Sequence, residues 1–235
     1  MTMTVDRPPA RRATPVSAAQ RLRTNFAAAR VSFTWFGIRK SLNADQKEQA
    51  AESFGAEGAF LSAGKKLIDT RHAQFRAVTS IRTRIQGYWR NLSLPYPEPG
   101  MRLIRQEDIQ TFNEAMAGFK AELTAAVEEL DRHFAELKDA ARQRLGSLYN
   151  PADYPESLSG LFEVTWDFPS VQPPEYLLRL NPRLYEEERQ RIAARFDEAA
   201  RLAEQAFVAE LSRLVSHIVE RLNVSEDGTK KVFRD

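Results

Sequence analysis

Cysteine is absent from the 235 residues, which excludes disulfides and thiolate metal sites and fits a reducing compartment. No apolar run approaches the roughly 18 residues needed to span a bilayer. The opening stretch, MTMTVDRPPARRATP, lacks the apolar stretch of a secretory signal. The expected compartment is therefore the cytoplasm, and a membrane is not an expected partner. Histidine is scarce: His72, His133 and His217 are the only three. Glu129 and Glu136 flank His133 at helical spacing, but a di-iron bundle needs Glu-x-x-His, and the residue three before His133 is Leu130. No HExxH zinc motif and no Gly-x-Ser-x-Gly elbow occur. The histidines read as surface or helix-packing residues, and acid pairs such as Glu128/Glu129 and Glu187/Glu188 as solvated helix faces. No cofactor, metal or catalytic residue is indicated, and the expectation is a non-enzymatic protein.

What is present in quantity is helical periodicity. From Glu107 to about Leu148, Ile109, Phe112, Met116, Phe119, Leu123, Ala126, Leu130, Phe134, Leu137, Ala141 and Leu145 recur every three or four positions, with charged residues between them. From Pro182 to Leu222 the same pattern returns through Tyr185, Ile192, Phe196, Ala199, Ala203, Phe207, Leu211, Leu214, Ile218 and Leu222. Asn181 suits an N-cap and Pro182 the first helical position, while Glu186 to Glu188 favour the positive end of the helix dipole. Each run would be a coiled-coil-like arm roughly 60 Å long. Neither stripe is stable alone in water. The economical arrangement is a long antiparallel helical hairpin; homodimerisation through one arm is the competing one.

Residues 1–105 carry 18 Lys/Arg against 7 Asp/Glu, and residues 106–235 carry 16 against 25. This asymmetry has two readings: a basic front packed on acidic arms, or an anion-binding front half suited to nucleic acid. The most basic ordered element is expected at about Arg71–Asn91, a helix with Phe75, Val78, Ile81, Ile85 and Trp89 on one face. The candidate nucleic-acid-binding residues are Lys65, Lys66, Arg71, Arg76, Arg82, Arg84 and Arg90, with Tyr88 and Trp89 available for stacking. The other reading of that helix is an amphipathic element whose arginines pair with glutamates of the arms. Gly58-Ala-Phe-Leu-Ser-Ala-Gly-Lys-Lys66 is not a phosphate loop: it has five residues between its glycines, and Lys66 stands where the hydroxyl belongs.

Around the arms, residues 1–15 read as a disordered basic tail, and 16–235 as one elongated helical domain. Within it, 16–106 form a cap, 107–148 and 182–222 the arms, and 149–181 a β-containing connector. Helices are expected at Val16–Ala29, Ala44–Phe54 (capped by Asn43) and Glu175–Leu180. Val31-Ser-Phe-Thr-Trp35 and Leu161–Phe168 alternate as strands and are expected to pair antiparallel, burying their Trp faces against helices. Met101–Arg105 reads as a third short strand. A single sheet of all three requires a bend in the first arm, because residues 149–160 span roughly 40 Å at most. The fold class is thus mostly α: a helical hairpin with a small β element of two or three short strands.

The stretches WFGIRKSL, FGAEGAFLSAGKKLIDTRHAQF, GYWRNLSLPYPEPGMRLIRQEDI, LGSLYNPADYP and FEVTWDFPSVQPPEYL together resemble an uncharacterised bacterial and phage family, a domain of unknown function. The resemblance runs from about Ala28 to the end. It implies a helical protein of mobile or phage-like gene neighbourhoods, sometimes encoded near MoxR-type ATPases, and it supplies no catalytic residues. Its members continue past KKVFRD. After the turn at Ser225–Gly228, Val232 and Phe233 look like the start of a further helix, so a truncated frame is expected. Two functions follow as expectations. The first is a protein-interaction or scaffold protein, binding a protein partner, such as a MoxR-type ATPase, or itself through the arms. The alternative is a nucleic-acid-binding accessory factor using the basic half.

Overall fold

A computed structural model describes residues 17–222. The basic tail and the C-terminal turn with Val232 and Phe233 lie outside the described residues. Helices predominate: α1 (Ala18–Asn25), α2 (Ala44–Glu52), α3 (Ala73–Leu92), α4 (Ile109–Arg132), α5 (Phe134–Leu145), α6 (Glu175–Leu180) and α7 (Pro182–Leu222). Six strands accompany them: β1 (Phe26–Trp35), β2 (Arg39–Ser41), β3 (Gly64–Lys66), β4 (Ser93–Pro95), β5 (Met101–Arg105) and β6 (Phe162–Asp167). They form a four-stranded sheet in the order β4-β5-β1-β6 and a separate β2-β3 pair, more strands than the sequence suggested. β1 and β6 pair antiparallel as expected, Val31 opposite Trp166, Phe33 opposite Val164 and Trp35 opposite Phe162.

Local sequence explains most boundaries. Ser17 and Asn43 each form a capping box, with Gln20 and Gln46 returning the hydrogen bond. Asn181 Oδ1 accepts from the Leu184 N–H, fixing the start of α7. α1 stops at Asn25, four residues short of the expected helix. Ala27–Ala29 join β1 instead, where Ala28 and Ala29 are fully enclosed, so burial in the sheet overrides alanine's helix propensity. The first arm is also interrupted. His133 leaves helical geometry at φ −93° and ψ 2°, with its N–H donating to the Leu130 carbonyl three residues back.

The chain divides into two compact units, each discontinuous in sequence. One comprises 29–93 and 107–168. Its core is made by α3 against α4, with Phe75, Val78, Ile81 and Ile85 meeting Phe112, Met116, Leu123 and Val127, and by β6 against α4. The other comprises 17–28, 94–106 and 169–222 of the described chain. There Ile192, Phe196 and Ala199 of α7 join Leu22, Tyr96, Met101 and Leu103 in one buried cluster, and Tyr96 meets the Phe196 ring edge-on at 5.7 Å. The long helical hairpin is not confirmed. The two arms belong to different units, and each finds apolar partners inside its own: α3 and β6 for the first arm, α1 and α6 for the second.

Candidate functional site

Helix α3 and its approach carry the candidate nucleic-acid residues, and most of them are committed internally. Lys65 is buried on β3; its Nζ donates to the Leu148 carbonyl at 2.5 Å and lies 2.6 Å from Asp153 Oδ2. Lys40 approaches the other oxygen of Asp153 at 2.5 Å. Hydrogen bonds from Lys40 and then Lys65 hold the Asp153 carboxyl below its ordinary pKa, against the opposing effect of burial. Arg82 places its guanidinium 4.6 Å from the Trp35 ring centre and 5.2 Å from that of Phe33, a cation–π contact in which the indole shields the charge. Arg84 pairs with Glu122 of α4 and lies over Phe119. Tyr88 packs between Phe112 and Phe119, and burial raises its hydroxyl pKa. Trp89 is half-buried with its indole N–H enclosed.

Lys66, Arg71, Arg76 and Arg90 remain exposed. Arg71 reaches back to Asp69, which Arg144 also contacts at 2.9 Å, and the Asp69 pKa is driven down first by the Arg71 side-chain hydrogen bond. Lys66, Asp69, Arg71 and Arg144 line one 420 Å³ pocket. Arg76 lies apart on the outer face of α3. The expected residues therefore do not form one continuous surface. Arg144, Asp69 and Asp153 take part although the sequence reading passed over them; Arg144 and Asp153 are selected by oppositely charged partners far off in the chain, and no spacing rule reports those.

A second depression, of 250 Å³, runs between α4 and β6. Leu123, Val127, Phe162 and Val164 make its floor, and the Lys120–Glu163 ion pair at 2.9 Å closes one side. Asp131 at its edge accepts from the Ser157 hydroxyl and the Leu158 N–H at 2.8 and 2.7 Å. Among the described residues, no three His, Asp or Glu side chains converge as a metal site would need. No helix there is long and apolar enough to cross a membrane.

The outer half of α7 is different in kind. Up to Ala203 the helix contributes buried and half-buried residues, and from Glu204 to Arg221 every residue is exposed. Phe207, Val208, Leu211, Leu214, Val215, Ile218 and Val219 fall there, each 46–69% exposed. At 100° per residue they occupy a stripe about 140° wide. The seam of Phe207, Leu211, Leu214 and Ile218 is legible in the sequence. The flanking Val208, Val215 and Val219 were missed, though three valines one position beyond a seam are the signal that it is wider than a two-helix contact needs. Glu210 and Arg213 pair on the opposite, polar face at 2.6 Å. Scattered exposed leucines are ordinary, whereas seven contiguous large apolar side chains are not. Compared with protein-family models, with curated proteins and with solved structures, the chain matches none of them.

Proposed function

We propose that this is a non-enzymatic interaction or scaffold protein that docks a protein partner through the outer half of α7. The observation that carries this reading is the uncovered stripe from Phe207 to Val219 on a helix whose inner half is anchored in a buried core. An anchored helix holds its far turns in place before a partner arrives, which lowers the ordering cost of binding. Helix recognition of this kind uses anchors at i, i+4, i+7 and i+11, the spacing found here.

The nucleic-acid alternative has less to support it. Lys65, Arg82, Arg84 and Tyr88 are engaged inside their own unit, and of the other candidate cations Lys66, Arg71, Arg76 and Arg90 are exposed without sharing one pocket. The test is capture with the full chain as bait, wild type against Leu211→Asp/Leu214→Asp. A MoxR-type ATPase, which the family resemblance implies, is the first candidate to present. Retention of a partner by the wild type and its loss in the double variant, at unchanged helix content, supports the reading. Equal retention by both chains overturns it.

A further inference from the structure

We infer that the partner covering the outer half of α7 is a second copy of this chain, seated antiparallel; this rests on the docking-helix reading above. Phe207, Leu211, Leu214 and Ile218 are separated by four, three and four residues. That order is its own reverse. A second α7 turned end for end therefore sets Phe207 against Ile218 and Leu211 against Leu214, then repeats both layers across the two-fold axis. The pattern extends outward, because Ala203 in the same register meets position 222, another interval of four. Every heptad seam alternates fours and threes in this way, so the spacing admits an antiparallel second copy, and the charges argue for it.

Charge separates the two orientations of a self-pair. In the antiparallel register Glu204 lies opposite Arg221 at both ends of the contact. In a parallel register Glu204 would face Glu204 and Arg221 would face Arg221, like charges at both ends. The 204–221 segment carries three glutamates against two arginines, so little net repulsion opposes the approach of two copies.

The area is also sufficient. The fractional exposures of the seven apolar residues, applied to typical full residue areas, leave roughly 650 Å² per copy, approaching the ~800 Å² per partner of a specific interface. A typical monomer's largest apolar patch is about 300–600 Å². The flanking valines close over the seam in the self-pair.

The absence of cysteine makes the test direct. The mass of the full chain is measured by light scattering at high micromolar concentration. Single Phe207→Cys and Ile218→Cys chains are then treated with a short bis-maleimide, alone and mixed. The inference expects twice the single-chain mass, one chain's mass for Leu211→Asp/Leu214→Asp, and cross-linking only in the mixture. In the antiparallel pair, two Phe207→Cys chains hold their thiols about 16 Å apart along the axis and stay unlinked. Cross-linking of Phe207→Cys with itself means a parallel pair and overturns the orientation. A double variant that keeps the doubled mass places the contact elsewhere and overturns the inference. A monomeric wild type also overturns it. If that monomer still captures another protein through the stripe, the docking-helix reading survives with a different partner, and if the double variant changes neither assay both readings fall.

Discussion

At Gly58 a side chain has nowhere to go. A Cβ there would lie 2.3 Å from Glu48 Oε2, 2.7 Å from the Glu48 backbone N and 2.8 Å from its Cα. The Gly58 N–H instead donates to Glu48 Oε2 at 2.8 Å, fastening the loop to α2. Gly58→Ala should destabilise the fold by about 1–3 kcal/mol, read as a lower urea midpoint, because the backbone must shift to admit the methyl group. Gly118, in α4 with open space around it, should behave oppositely: Gly118→Ala should stabilise by about 0.5–1 kcal/mol. Motif counting shows that Gly58 does not begin a phosphate loop. The actual need for glycine, an approach from ten residues back, follows no local pattern.

Lys65 and Asp153 make a second residue-scale case. Removing the carboxylate leaves an ammonium buried with only the Leu148 carbonyl, so Asp153→Ala should cost about 2–3 kcal/mol. Lys65→Met/Asp153→Leu, which removes both charges, should come close to neutral in the same urea titration. The Asp153 pKa is lowered in the folded chain, so between the folded and unfolded values the unfolded chain binds more protons. The pair's stabilisation is full above the unfolded value of about 3.9 and is lost as pH falls through the folded one. Stability measured against pH should therefore show a shallower acid limb below about pH 4 in Asp153→Asn.

Within α7, one periodic pattern serves two environments. Phe196 is 1% exposed inside the cluster with Tyr96 and Met101, and Phe207, three turns on, is 69% exposed. Phe196→Ala should lose about 3–5 kcal/mol, and Phe207→Ala should stay within about 0.5 kcal/mol in thermal unfolding of dilute protein. The boundary between α6 and α7 was readable because Asn181 and Pro182 are local signals, although Glu186 to Glu188 fall beyond the first turn of α7, which holds no acidic residue. What covers each half of a stripe is a tertiary fact, and periodicity is blind to it. A bend in the first arm follows from loop length if the strands share a sheet, but the place of the break at His133 was silent, since no proline or glycine marks it and Leu130, Phe134 and Leu137 stay buried straight through. The antiparallel β1–β6 pairing was legible for the opposite reason. Alternation over Val31–Trp35 and Phe162–Asp167 fixes which face is apolar, and the echo of one in the other fixes the partner.

For the molecule as a whole, the two units differ in how their chain segments are drawn together. The unit of 29–93 and 107–168 has every residue it needs by position 168. The other draws on segments from the beginning, the middle and the far end of the sequence, and its cluster lacks Ile192, Phe196 and Ala199 until α7 is made. On a ribosome adding about 5–20 residues per second, Leu103 emerges roughly 5–20 s before Ile192 does. Through that interval Leu22, Met101 and Leu103 have no α7 to close on. The order of birth therefore runs against the order of the chain: α1 waits for α7, and the nascent protein carries one finished unit and one open apolar seat until α7 arrives.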